Sequence, residues 1–92
     1  MAAMEIFVGD VGTVLQVDCG ADISQATVLK VIAKPPYGAK KEWVGTLNGT
    51  NIIDYTLLAG DIHVGGTWRV QSYIELPNWQ GRGEWANLEV NQ

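Results

Sequence analysis

The chain is poor in the residues that staple or catalyse: one cysteine, one histidine, one phenylalanine and three prolines in 92 residues. A single cysteine, Cys19, excludes an intrachain disulfide, so the fold must hold by packing alone, which suits a reducing compartment. Basic residues are few, six against ten acidic for a net charge of −4, which opposes the phosphate-neutralising surface that nucleic-acid binding needs. No segment approaches the ~20 apolar residues of a membrane-spanning helix, and the N-terminal MAAMEIFVG has no basic region before an apolar run. Neither a membrane nor a Sec signal is therefore expected. Amphipathic helical runs, internal repeats and linkers are also missing.

What remains is 47% hydrophobic and 17% charged with 11 glycines, the composition of a folded chain with many tight turns. A chain this short buries roughly 60 to 65% of its unfolded surface, enough for one core but not two. Residues 1–92 are read as one domain.

Apolar alternation predicts seven short strands. Glu5 to Val8 reads as a short edge strand. Gly12 to Cys19 points its odd residues inward, ending on Cys19 as a small core residue. GADISQ, from Gly20 to Gln25, reads as a polar connection with room for one helical turn. Thr27 to Lys34 has a mixed second face of Val28, Lys30, Ile32 and Lys34, and Pro35-Pro36 ends it because proline cannot donate to a ladder. Lys41 to Leu47 and Asn51 to Leu57 flank Asn48-Gly49, the dipeptide of a type I′ hairpin turn. In the second arm Ile53, Tyr55 and Leu57 form the core face; in the first, Trp43 with Leu47 competes with Val44. The longest alternation is in AGDIHVGGTWRVQSYIEL, Ala59 to Leu76, where Trp68, Val70, Ser72, Ile74 and Leu76 share one face and Arg69, Gln71, Tyr73 and Glu75 the other. Pro77 to Gly83 reads as a loop. Glu84 to Val90 is the last strand, with Ala86, Leu88 and Val90 inward and Trp85 outward. This pattern predicts an all-β antiparallel sandwich.

Chemistry has little to work with. His63 is the only histidine and sits between apolar neighbours in DIHVGG, and Cys19 has no local His, Lys or Arg to lower its pKa. The acidic residues Asp10, Asp18, Asp22, Asp54 and Asp61 lack the spacing of a calcium loop. Gly81-Arg82-Gly83 leads into a strand, so no helix N-terminus is there to hold a pyrophosphate. Asn48-Gly49-Thr50 fits a glycosylation acceptor but reads as a turn. No catalytic residue, cofactor or metal site is assigned. Four tryptophans raise a carbohydrate-binding alternative through Trp79 and Trp85, since exposed indoles stack on sugar rings.

Several pieces in order carry a resemblance: Phe7-Val8-Gly9-Asp10, Gly12-Thr13, Asp22-Ile23-Ser24 with Ala26-Thr27, Lys34-Pro35 with Gly38, Tyr55-Thr56, Ala59-Gly60-Asp61-Ile62, then Gly66-Thr67-Trp68-Arg69-Val70-Gln71 and Tyr73-Ile74-Glu75-Leu76. Over Glu5 to Val90 the chain resembles the N-terminal immunoglobulin-like module of baseplate upper proteins and related tail components of phages and prophages. It departs from that pattern at Pro36-Tyr37, where a more polar turn is usual. The resemblance implies an immunoglobulin-like sandwich of about seven strands. It also implies a non-enzymatic tail or baseplate protein, assembled in the host cytoplasm, that docks other virion proteins or copies of itself; a small head or neck protein is equally compatible. The expected contact surface is Arg69, Gln71, Tyr73, Glu75 and Trp85, with Trp79 from the loop.

Overall fold

The computed structural model describes residues 6–92, which contain no helix. Glu5 and the N-terminal segment lie outside the described residues. Nine strands form two sheets: β1 Ile6–Phe7, β2 Val14–Asp18, β3 Val28–Lys34, β4 Lys41–Val44, β5 Thr46–Asn48, β6 Ile52–Thr56, β7 Gly66–Leu76, β8 Trp79–Arg82 and β9 Ala86–Asn91. The larger sheet runs β1-β9-β7-β3-β4 with β8 also on β7, and the smaller runs β2-β6-β5. By their connections β2, β6 and β5 take the places of B, E and D, and β9, β7, β3 and β4 those of G, F, C and C′, in an immunoglobulin sandwich. One pairing is not antiparallel: β1 lies parallel to β9, Ile6 opposite Val90, and forms the sheet edge.

The apolar alternation carries over into one core. Trp68, Ile6, Ile53, Leu57, Ile62 and Val31 are fully buried, with Leu15, Val70, Ile74 and Val90 beside them. Trp68 sits under the middle of the sandwich and donates its indole N–H to the Val64 carbonyl at 3.0 Å. Trp43 lies between it and Tyr55, stacked on Tyr55 at 4.8 Å with planes 6° apart.

Nine strands replace seven for two physical reasons. The run 41–47 is cut at Gly45, because its first half pairs with β3 in the larger sheet and its second half with β6 in the smaller. A side chain at Gly45 would collide with Ile53 Cγ2 and meet the Asp54 carbonyl oxygen at 2.9 Å, so glycine permits the crossing. The crossing also settles the competition in this arm: Trp43 is buried, Val44 is 74% exposed, and Leu47 sits at a sheet edge, half out in solvent.

The second reason is that Pro77 to Gly83 is not a loop. β7 turns back through Pro77-Asn78 alone, and β8 pairs with it from Leu76↔Trp79 to Tyr73↔Arg82. β9 then continues along the same edge from Val70↔Ala86 to Gly66↔Val90. Between these stretches Gly83, Glu84 and Trp85 face only Gln71 and Ser72, a one-residue β-bulge. The extra residue reverses the alternation, so odd positions lie on the inner side in β8 and even positions in β9. Glycine punctuation in QGRG resembles a loop in sequence, and that is why the strand is hidden.

Two further expectations change. The pairing Asn48↔Ile52 leaves Gly49-Thr50-Asn51 as a three-residue hairpin loop, and among the described residues no non-glycine residue has positive φ, which rules out type I′ at Asn48-Gly49. In the connection from Gly20 to Gln25 there is no helical turn: Asp22 accepts the Ser24 N–H at 2.8 Å, and Ile23 is buried, its N–H bonded to the Thr50 carbonyl. A single apolar residue has no periodicity, so this core contribution leaves no pattern. Cys19 is half-buried against the core.

Candidate functional site

Register across the larger sheet assembles its outer face in rows. Lys34, Arg69 and Asn87 lie side by side; Lys30, Tyr73 and Arg82 form a second row; Ile32 faces Gln71, and Val28, Glu75 and Gln80 make a third. From β4, Glu42 and Val44 join beside Ile32 and Lys30. Four of the six basic residues of an acidic chain therefore share one face.

Around Tyr73 these groups are tied together. The Tyr73 hydroxyl donates to Glu75 Oε2 at 2.8 Å, and this bond to an anionic acceptor, followed by desolvation, raises the phenol pKa. Lys30 Nζ stands 5.9 Å from the Tyr73 ring centre and 3.3 Å from Glu42 Oε1, the one ion pair among the described residues. Its stability contribution is small, about 0 to 1 kcal/mol, because both groups are solvated. A shallow depression of about 270 Å³ opens here, lined by Lys30, Ile32, Glu42, Tyr73, Glu75 and Arg82. While Glu42 and Glu75 have partners inside the face, Lys34 and Arg82 have no carboxylate in ion-pair range among the described residues.

The six contact residues expected from sequence divide. Arg69 is exposed and its guanidinium lies 5.1 Å from the Trp85 ring centre, a cation–π stack that places the half-buried Trp85 on the outer side. Tyr73 and Glu75 are half-exposed on the same face. Gln71 points the same way but is only 6% exposed, because its amide donates to the Gly83 carbonyl at 3.0 Å and braces the bulge. Trp79 is in a strand rather than a loop, opposite Leu76 and on the inner side. Its ring covers Gly81, where a Cβ would meet Trp79 Cζ2 at 2.7 Å, and remains 52% exposed. Lys30, Ile32, Lys34, Glu42 and Arg82 complete the face unforeseen. The mixed alternation of β3 was their signal, but only the β3–β7 register joins it to Tyr73.

Cys19 and His63 line different cavities, Cys19 at the seam between β2 and β9 and His63 beside Val8 and Tyr37. Burial pushes the Cys19 thiol pKa up, partly offset by a hydrogen bond with Ser72. His63 meets Trp68 edge to face at 5.6 Å. Among the described residues no three His, Cys, Asp or Glu side chains group so as to hold a metal ion, and no helix is long and apolar enough to cross a membrane. No protein-family model, curated protein or solved structure matches this chain.

Proposed function

We propose that this domain is a non-enzymatic docking module of a phage or prophage particle, part of its tail or baseplate, assembled in the host cytoplasm. It binds another virion protein or a second copy through the outer face of the larger sheet. The reading rests on the resemblance to baseplate modules, and one structural observation supports the surface. The face carries Lys34, Arg69 and Arg82 around Tyr73, flanked by the Arg69–Trp85 stack. A charged face with an aromatic and arginine centre suits protein contact, in which such residues carry most of the binding energy.

A carbohydrate-binding role through Trp79 and Trp85 has less support, since the two rings lie on opposite sides of the sheet and make no shared platform. The test is incorporation of variant chains into particles. Tyr73→Ala combined with Lys34→Glu should abolish incorporation and co-purification with neighbouring subunits while leaving the thermal midpoint near that of the parent. Unchanged incorporation would remove this face from the reading, and a glycan-array signal lost in Trp79→Ala would favour the alternative.

A further inference from the structure

The smaller sheet ends on β2, which bonds to β6 along one edge and has no partner strand on the other among the described residues. It is the longest such edge in the fold and its sequence, VLQVD, holds none of the lysines, prolines or bulges that blunt exposed edges. By contrast β1 has two residues, β5 has three, and β4 carries Lys41 and Glu42.

Beside this edge the two sheets part. A groove of about 610 Å³ runs between β2 and the bulge, with Val17, Val70, Ala86 and Trp85 among its lining and Asp18 and Glu84 contributing carboxylates. No Lys or Arg lines it. Asp18 is held by Gly20 N–H and Asn51 Nδ2, bonds that orient its carboxylate without neutralising it.

We propose that this seam takes an extended segment of a partner protein, added as a strand to β2, apolar at alternate positions and basic between them. Each feature of the occupant follows from the groove. The free ladder edge requires an extended backbone, the apolar floor takes every second side chain, and two uncompensated carboxylates select lysine or arginine at the positions left outside. Trp85 borders both this seam and the outer face, but the free edge of β2 and the groove carboxylates lie apart from that face, and the proposal does not depend on the phage reading.

The test uses the intact chain and a capped heptapeptide of alternating lysine and valine, with a glutamate–valine peptide as control. Amide exchange of β2 and the resonances of Val17 and Trp85 are followed by NMR. The lysine peptide should slow exchange on β2 about tenfold or more, weaken with added salt, and bind Glu84→Lys about tenfold less tightly. Ala86→Leu, which fills the groove, should abolish binding with the thermal midpoint retained. Failure of the lysine peptide to protect β2, or equal binding of the glutamate peptide, would overturn the proposal. So would β2 amides already protected on both edges in the free protein, since the chain's own residues would then cover the seam.

Discussion

The Tyr55 hydroxyl donates a 2.5 Å hydrogen bond to Asp61 Oδ2, and the same carboxylate oxygen accepts the Leu58 N–H at 2.8 Å. One carboxylate thus ties β6 to the turn that leads toward β7. Tyr55→Phe removes the donor and leaves the ring stacked on Trp43, so unfolding in urea should show a loss of about 1 to 2 kcal/mol with an unchanged m-value.

The same pair makes a pH prediction. Desolvation and the Asp61 carboxylate push the Tyr55 pKa up to about 12 from 10.0. The folded state holds this proton more tightly than the unfolded one, so its contribution is fully present below pH 10 and is lost as pH rises toward 12. Thermal midpoints measured across that interval should fall for the parent and fall less for Tyr55→Phe.

Trp68 is fully buried and bonded to Val64, within the core. Trp68→Ala should cost about 3 to 5 kcal/mol, a large part of the ~5 to 15 kcal/mol that holds a small domain. The expected outcome is an unfolded or barely folded chain by circular dichroism at 37 °C; a midpoint within a few degrees of the parent would contradict the packing.

Gly83 sits in the bulge where a Cβ would stand 2.5 Å from Ser72 Oγ and 3.8 Å from Ser72 Cβ. Gly83→Ala should therefore destabilise by about 1 to 3 kcal/mol through overpacking. Because only the hydroxyl obstructs, Ser72→Ala in the same chain should recover most of that loss. An additive double mutant would show that the strain lies elsewhere.

Ser72 on β7 also lines the same groove as Cys19, just past the end of β2 in the opposite sheet. These are the strands that the inter-sheet disulfide joins in antibody domains. Ser72→Cys should pair with Cys19 under oxidising conditions, leaving no titratable thiol in the folded chain. The gain should be about 2 to 4 kcal/mol, reversed by reductant.

Alternation in β2, β6 and β7 was legible because each of these strands stays in one sheet with one face more buried than the other, so period two survives. It failed where one residue changes the geometry. Gly45 moves the chain between sheets, and the bulge at Gly83 to Trp85 inverts the inward parity, so Trp79 and Trp85, both expected at the contact surface, part to opposite sides. Gln71 shows the same limit for the candidate face. Its position in the alternation is outward, but a hydrogen bond to a carbonyl twelve residues away buries it.

By itself the sequence determined the all-β class, the single core around Trp68 and the set of side chains that leave it, because burial of alternate apolar residues is a local property of each strand. The tertiary structure alone decided which strands lie side by side, and hence that Lys30, Tyr73 and Arg82 form one row. It also decided that, among the described residues, β2 keeps an unpaired edge over an acidic groove, because cross-strand register depends on pairings between residues far apart in the chain.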